Sequence, residues 1–346
     1  MNITIHSILS DDFQRWDDYV LLHETASIYH LSAWKQLIEK TFGHKCLYYY
    51  AQNENGNICG VLPSVNLSSR LFGNYIVSMP FFNYGSVLSD NNEIAQLLMN
   101  KMIELARSLN VTHIQYREQT ERVNSDLAVS TDKVNMVLQL PESQEVLGKL
   151  IGSKRRSQIK RPIKEGVSHK IGKAELLNDF YQVFCENMRD LGTPVYGKYF
   201  FENILDTFKD NCSICIVYWQ GKPVSAGFLI RHKERMEIPW ASTLSYANRI
   251  SVNMYLYWQI LSYAIETGCK EFDFGRSTID EGTYRFKKQW KSEPQQCYWY
   301  HWVPEGGELP NLSPSNAKFD LAIKMWKKLP LPIANMLGPF LVKNLP

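Results

Sequence analysis

The chain has 346 residues, of which 45% are hydrophobic and 21% charged, as in an ordinary globular protein of about two domains. Its formal net charge of +3 is too balanced for a protein that binds duplex DNA by bulk charge alone, so we expect no DNA partner. The seven cysteines are irregularly spaced, which argues against a disulfide scaffold and favours a reducing compartment.

The amino-terminal residues bear on where the protein is found. The first twenty include four aspartates and lack the apolar core that a signal peptide needs. No stretch of the chain reaches about 18 consecutive apolar residues, so the sequence predicts no membrane-spanning helix. We therefore expect a cytoplasmic protein.

A β-hairpin is predicted over residues 46–65, where two runs rich in aromatic and β-branched residues flank a turn of Asn and Gly. A third strand over Tyr75–Phe82 follows, and then a helix over Asn92–Arg107 in which apolar residues recur every three or four positions. The helix stops at Asn110, a residue that tolerates the left-handed conformation, and the strand Thr112–Tyr116 comes next.

A domain boundary is predicted near residues 141–150, and a basic segment follows it. Three cations spaced four apart share one helical face until Pro162 interrupts the helix; they are Arg156, Lys160 and Lys164. With the neighbouring Arg155, this stripe suits the capture of substrate phosphates, although a solvated basic face has the same pattern. A second helix is predicted over about residues 175–190.

The elements of the first repeat then recur in the same order. A hairpin is predicted over Cys215–Ile230, a strand over Met236–Thr243, a helix over Val252–Glu266 and a short strand over Glu271–Phe274. The offset between the copies is about 160 residues, which indicates two similar domains in tandem rather than a short-period solenoid.

These patterns predict three segments: a first domain over 1–148, a second over 149–305, and a linker with a helical tail over 306–346. The tail mixes cations with Trp, Leu and Phe. That composition suits peripheral contact with a membrane surface, and it equally suits packing of the tail over the second domain.

Several common catalytic sites find no support in the sequence. The eight histidines form no zinc-binding spacing, and no P-loop or G-x-S-x-G nucleophile motif occurs. Cys212 and Cys215 form a C-x-x-C inside an apolar run, which favours a buried strand over a redox or metal site. We predict no metal.

The order hairpin, strand, helix, strand resembles the core of the GNAT acyltransferase fold, and two such domains in one chain resemble the Fem family of aminoacyl transferases. Four segments resemble a FemAB-like subgroup that includes BioF2-like acetyltransferase domains; they are residues 153–166, 189–201, 272–290 and 329–339. The resemblance implies an α+β fold: two tandem GNAT-like domains, each a mixed, mainly antiparallel sheet flanked by helices, with a short helical tail.

The resemblance also implies an activity. The protein would be an N-acyltransferase or aminoacyltransferase acting on an amine of a cell-envelope precursor, either nucleotide-linked or lipid-linked. The subgroup is associated with peptidoglycan chemistry and with PEP-CTERM/exosortase and exopolysaccharide systems, at the inner face of the cytoplasmic membrane. Acyl-CoA or aminoacyl-tRNA would be the donor, with no tightly bound cofactor. The alternative is a non-catalytic scaffold that binds the precursor.

Catalytic residues follow from the same resemblance. Lys287 or Lys288 would stabilise the negative charge that develops during acyl transfer, although a solvated basic turn would look the same. Strand alternation places Asp273 opposite Phe272 and Phe274, so that Asp273 points toward the cleft. Arg276 would cap the rim of that cleft, unless Asp273 and Arg276 form a structural pair that closes a turn.

The remaining candidates would bind substrate. One group lies on the loop after the second-domain helix, where a cation and aromatic side chains suit a polar ligand. A second group is the start of the basic segment, and a third lies on the first predicted helix, capped by Ser32. The predicted binding residues are Tyr284, Arg189, Tyr196, Lys198, Arg155, Arg156, Lys35 and Trp34.

Overall fold

The computed structural model describes residues 2–122, 127–309 and 317–345, with only the backbone of residues 317–319. The contacts divide the chain into two compact units. Unit one comprises residues 1–133, 296–311 and 343–346, and unit two comprises residues 134–295 and 312–342.

The elements up to residue 130 all belong to unit one. In chain order they are β1 (Thr4–Ser7), α1 (Phe13–Leu22), α2 (Ala33–Phe42), β2 (Lys45–Cys46), β3 (Tyr49–Gln52), β4 (Ile58–Leu62), β5 (Val65–Ser69), β6 (Gly73–Val77), β7 (Leu88–Ser89), α3 (Asn92–Ser108), β8 (Ile114–Glu118) and β9 (Ala128–Ser130).

The elements that follow belong to unit two, except for one strand. They are β10 (Lys133–Gln139), α4 (Gln144–Lys164), β11 (Ser168–Gly172), α5 (Leu177–Leu191), α6 (Lys198–Thr207), β12 (Cys212–Trp219), β13 (Lys222–His232), β14 (Arg235–Thr243), α7 (Val252–Glu266), β15 (Glu271–Thr278), α8 (Gly282–Lys288), β16 (Glu293–Gln296), β17 (Tyr298–Trp302), α9 (Ala317–Trp326) and α10 (Leu331–Val342). The exception is β17, which lies in unit one.

Unit two is built on a seven-stranded sheet in the order β11-β12-β13-β14-β15-β10-β16. The predicted hairpin is confirmed, since β12 and β13 pair antiparallel with Cys215 opposite Gly227. After the antiparallel β14, the chain crosses through α7 and returns as β15, which runs parallel to β14. This hairpin, strand, helix, parallel strand order is the predicted repeat.

Unit one repeats this order on two smaller sheets, β1-β3-β4-β7 and β2-β5-β6-β8-β17-β9. Strands β3 and β4 form the predicted antiparallel hairpin, and the chain continues past Pro63 into β5, which pairs with β6. After α3, β8 runs parallel to β6. The predicted duplication and the mixed, helix-flanked sheets are therefore confirmed.

The strand that follows each repeat along the chain joins the sheet of the other repeat. Strand β10 follows the first repeat along the chain but lies beside β15, and β17 follows the second repeat but pairs with β8. The structural units therefore change at residues 133/134 and 295/296, whereas the predicted domains changed at 148/149 and 305/306. Chain order alone does not reveal which sheet edge a strand joins.

Two glycines at equivalent points of the repeats allow the crossover helices to approach the sheets. A Cβ on Gly60 would lie 2.7 Å from Ile94 of α3, and one on Gly227 would lie 2.9 Å from Ile260 of α7. Real Cβ atoms do not approach other heavy atoms so closely. Both repeats therefore use a glycine where the helix packs on the strand.

Helix α4 differs from its prediction. The backbone leaves the helical conformation at Gly152, where φ is +81° and ψ 170°, and a new helical segment starts at Ser153. Pro162 was expected to interrupt the helix, but α4 continues through it to Lys164. The proline lies in the last turn, so little helix remains for it to disrupt.

The tail packs on unit two. Ala334, Gly338 and Val342 form the buried side of α10, and Gly338 lies so close to Val195 that a Cβ would come within 2.8 Å of its backbone nitrogen. The packing prediction is thus confirmed for α10. Across the described residues, no helix is both long and apolar enough to cross a bilayer.

Candidate active site

The site is built at the end of β15, where the strand passes into α8. Phe272 and Phe274 are buried in the core of unit two, which anchors the strand. Gly275 then adopts a φ of +77°, a left-handed conformation that favours glycine. The carbonyl groups of Gly275 and Arg276 are both directed at the side chain of Lys287.

Lys287 is a buried cation held by two backbone carbonyls. Its Nζ donates to the carbonyl oxygen of Gly275 at 3.0 Å and to that of Arg276 at 2.9 Å. Burial lowers the pKa of Lys287 to about 8, while the nearby Asp273 carboxylate opposes this shift and the Arg276 guanidinium adds to it. The ammonium group therefore titrates close to neutral pH.

Lys288 is in a different environment from its neighbour. Its Nζ lies 2.6 Å from the carboxylate of Glu293, and its side chain is 38% exposed. An exposed pair of this kind is worth at most about 1 kcal/mol. The sequence left the two lysines as alternatives, and the structure separates them because only Lys287 is enclosed.

Asp273 is fully buried, so the prediction that it points into a cleft is wrong. Its Oδ2 accepts from Arg235 at 2.6 Å, and its Oδ1 accepts from the backbone N–H of Gly275 at 2.7 Å. Alternation does separate Asp273 from the flanking phenylalanines, but the other face of the strand is also covered. Asp273 fixes the turn whose carbonyl holds Lys287.

Arg276 and Tyr284 lie beside this turn. Arg276 is exposed, and its charge contributes to the lowered pKa of Lys287. Tyr284 is half-buried and packs against the core of unit two. The structure therefore brings both predicted residues to the neighbourhood of Lys287.

A basic surface cavity of about 500 Å³ opens next to α8. It joins the kink of α4 to the last turn of α8, and its lining includes five cations: Lys154, Arg155, Arg285, Lys288 and Lys291. The predicted residues Arg155 and Lys288 thus share one cavity.

A second basic cavity, of about 580 Å³, lies along the other side of α4. Its cations are Arg156, Lys160, Arg161 and Lys164, and Ser251 at the start of α7 completes it. Arg156 also donates to the carbonyl of Gly148 across the kink at 2.7 Å. Arg156, Lys160 and Lys164 of the predicted stripe therefore line one cavity, while Arg155 lines the other.

An aromatic platform lies near the start of α7. Tyr246, which is 49% exposed, stacks on Trp219 with ring centroids 6.4 Å apart. The guanidinium of Arg249 lies 5.2 Å from the centre of the Trp219 ring, and Trp219 donates to the carbonyl of Glu165 at the end of α4. The platform is thus tied to the helix that lines the second cavity.

The predicted residues of the α5–α6 segment have local partners. Arg189 donates to the carbonyl of Leu329 at 3.1 Å and pairs with Asp190, which ties the tail to α5. Lys198 pairs with Glu202 on the same helix at 3.4 Å. Tyr196 packs edge-on against the ring of Trp240.

The two candidates in unit one differ in their exposure to solvent. Trp34 is fully buried, donates to the carbonyl of Ile28 at 2.9 Å and packs edge-on against Phe82, so it is a core side chain. Lys35 is one-fifth exposed and pairs with Glu39 at 2.6 Å.

Sequence reasoning missed Arg235, Arg285, Lys291 and the aromatic platform. Arg285 and Lys291 stand in a run of four cations within seven residues, and that density was a usable signal. Arg235 lies 38 residues before its partner Asp273, so no local pattern could connect them. In the described part of the chain, no group of three His, Cys, Asp or Glu side chains could hold a metal ion.

The segment that carries this site is similar to a known protein family. Residues 153–288 match the acetyltransferase (GNAT) domain family. The UDP-N-acetylmuramoylpentapeptide-lysine N(6)-alanyltransferase of Weissella viridescens is 24% identical over 163 residues, 45% of this chain and 48% of that protein. The match thus spans about half the length of this curated relative.

Solved structures extend the likeness to both units. The crystal structure of FemX has a TM-score of 0.66 at 14% identity, covering 88% of this chain and 98% of that one. A tandem GNAT protein from the clavulanic acid biosynthesis pathway has a TM-score of 0.56 at 9% identity, covering 89% and 100%. At such identities the likeness shows the fold alone. Residues 153–288 thus match the acetyltransferase (GNAT) domain family, in a chain that is similar in sequence to an alanyltransferase and in fold to FemX and a tandem GNAT protein.

Proposed function

We propose that this chain is a FemAB-type transferase that moves an aminoacyl or acyl group onto an amine of a cell-envelope precursor. The observation that carries the proposal is Lys287, a buried ammonium with a lowered pKa on α8, the helix whose residues Arg285 and Lys288 line a basic cavity. Perturbed titratable groups that adjoin a cleft are typical of functional sites.

Lys287 suits the chemistry of this transfer. A neutral amine attacks the carbonyl carbon of a donor ester or thioester, and a tetrahedral oxyanion forms. The carbon–oxygen or carbon–sulfur bond then breaks, the leaving group takes up a proton, and the amine gives one up. An ammonium group has three donors, and two of those on Lys287 are bound to carbonyls. The third would stabilise the oxyanion or supply the proton.

The basic cavities support a polyanionic donor. For Lys160, Arg161 and Lys164, the described residues provide no acidic partner within ion-pair distance. A cationic groove near an exposed aromatic ring such as that of Tyr246 suits single-stranded nucleic acid, because phosphates bind the cations and a base can stack on the ring. These features favour aminoacyl-tRNA over acyl-CoA as the donor.

The acceptor proposal rests on the curated relative, whose name specifies the lysine of a UDP-linked muramoyl pentapeptide. We propose an amine of a peptidoglycan precursor first, and an amino sugar of an exopolysaccharide precursor second. Nucleotide-linked precursors of this kind would place the reaction in the cytoplasm, and lipid-linked ones at the inner face of the membrane.

A transfer assay tests the proposal. Purified protein is incubated with aminoacyl-tRNA carrying radiolabelled amino acids, or with acyl-CoAs, and with UDP-linked muramoyl pentapeptide as acceptor. We expect label transfer from aminoacyl-tRNA, with kcat/KM reduced about 10²–10⁴-fold in Lys287→Met. Lys288→Met, which removes one cation of the first cavity, should raise the KM for the donor and leave kcat largely in place. Saturable acceptor binding without turnover from any donor would instead support a precursor-binding scaffold.

A further inference from the structure

The positive charge of the protein is concentrated in its tail. Residues 317–346 contain five lysines and one aspartate, a charge of +4. Since the whole chain carries +3, the other residues together carry −1. The tail is therefore cationic on a chain that is otherwise almost neutral, and nothing in the proposed transfer reaction uses this charge.

Helix α10 contains no charged residue on any side. Its buried side packs on unit two, while the opposite side exposes Ile333, Met336, Leu337 and Phe340, the last of them 67% exposed. A helix that is apolar all round is normally buried in a protein core or in lipid. About half of the surface of α10 is therefore apolar and exposed to water, which is energetically unfavourable.

The orientation of this apolar side is fixed by contacts on the other side. The backbone of α10 lies against Val195 at Gly338, where no Cβ would fit. Just before α10, the carbonyl of Leu329 accepts from Arg189. The helix therefore cannot roll its exposed side inward without losing both contacts.

Helix α9 also exposes apolar side chains. Leu321 and Met325 are 69% and 63% exposed and lie one turn apart. We call the six exposed apolar residues of the two helices the tail face: Leu321, Met325, Ile333, Met336, Leu337 and Phe340. Lysines stand on both sides of α10 along the chain: Lys324, Lys327, Lys328 and Lys343.

We propose that the tail face is a docking surface for a bilayer that contains anionic phospholipid. Apolar side chains would enter the headgroup boundary, and the surrounding lysines would meet the negative lipid surface. A second copy of the chain is a poorer occupant, because a symmetric contact would bring two surfaces of +4 together. Helix α10 has 12 residues, which suits lying in the interface, since spanning takes about 20. The inference does not depend on the proposed transfer reaction.

Vesicle sedimentation tests it with the full-length chain. Partitioning is measured on vesicles of phosphatidylcholine alone and of phosphatidylcholine mixed with phosphatidylglycerol. We expect binding to the mixed vesicles, and a loss of at least about tenfold in the partition coefficient for the variant Met336→Ser/Phe340→Ser. Lys327→Ala/Lys328→Ala should lose about thirtyfold on the anionic vesicles alone.

The matched control removes equally exposed apolar side chains elsewhere. Leu22 and Leu71 of unit one are 85% and 76% exposed, and Leu22→Ser/Leu71→Ser should bind vesicles like the wild type. Thermal unfolding checks that every variant folds. The proposal is overturned if the wild type binds neither vesicle, or if both double serine variants partition equally. It is also overturned if sedimentation equilibrium shows a dimer that Met336→Ser/Phe340→Ser dissociates.

Discussion

Replacing Lys287 by methionine removes a buried amine whose pKa falls from 10.5 to about 8. At about 1.36 kcal/mol per pH unit, this shift means that folding around the protonated amine costs about 3 kcal/mol. The unfolded chain holds the proton more tightly, so stability rises with pH between the two pKa values. The cost is fully present below pH 8 and is lost as the pH rises to 10.5.

Urea-induced unfolding measures this cost. Between about pH 7 and pH 9.5, the free energy of unfolding of the wild type should rise by about 2 kcal/mol relative to Lys287→Met. Lys288→Met removes an exposed lysine next along the chain, and its profile should run parallel to that of the wild type. Subtracting the unfolding free energies of the variants from that of the wild type cancels the contributions of tyrosines and other groups that titrate in the same pH range.

Parallel profiles for all three proteins would refute the reasoning. If Lys287→Met fails to fold, competitive acetylation of the native wild type gives the same quantity directly. The acetylation rate of the Lys287 amine should then titrate near pH 8. An ordinary lysine titration at Lys287 would show that its site is not enclosed.

Three further predictions concern the scaffold. Gly60→Ala and Gly227→Ala should each lower the free energy of unfolding by about 1–3 kcal/mol through overpacking. Gly282→Ala is the control, since a Cβ there meets nothing within 4 Å and should change the free energy of unfolding little. Equal effects of all three variants in urea titrations would contradict this. Asp273→Asn should cost about 3 kcal/mol because Arg235 keeps its charge without its closest carboxylate, and a cost below about 1 kcal/mol would show that the pair is dispensable. Burial lowers the pKa of His113 to about 4. As the pH falls from about 6.5 to 4, the free energy of unfolding of the wild type should therefore decrease by up to about 3 kcal/mol more than that of His113→Gln. Substitution of the exposed His6 by Gln is the control, and identical acid profiles of the wild type and His113→Gln would contradict the burial of His113.

Local patterns in the sequence predicted most of each repeat. Helix α7 has the predicted bounds, Val252–Glu266, and both hairpins form where turn residues separate β-rich runs. Each of these elements is specified by its own residues and its own turn, within a span of about twenty positions. The exchange of β10 and β17 between the sheets was not predictable in this way. The sequence of each segment predicts a strand, but the partner of that strand depends on which sheet edge is open to it in the folded protein.

The candidate site, too, was only partly predictable from the sequence. The sequence predicted a site around residues 273–288, but it could not distinguish the environment of Lys287 from that of Lys288. Adjacent residues on a helix point about 100° apart, so one lysine enters the protein and the other meets Glu293 at the surface. For Trp34, an aromatic residue on an amphipathic helix fits a core or a binding surface equally well, and only the packing against Phe82 decides.

The two repeats have diverged at the position where the chemistry is proposed. In unit two, β15 ends on carbonyls that hold an ammonium of lowered pKa. In unit one, the equivalent strand β8 ends on Glu118, which pairs with Arg122 at 2.9 Å and also accepts from the backbone of Val87. Arg122 in turn donates to the carbonyl of Val87, so the carboxylate and the guanidinium neutralise each other and brace the loop. A charge already matched by a buried partner has little left to offer a reacting group. The proposed transfer therefore belongs to unit two.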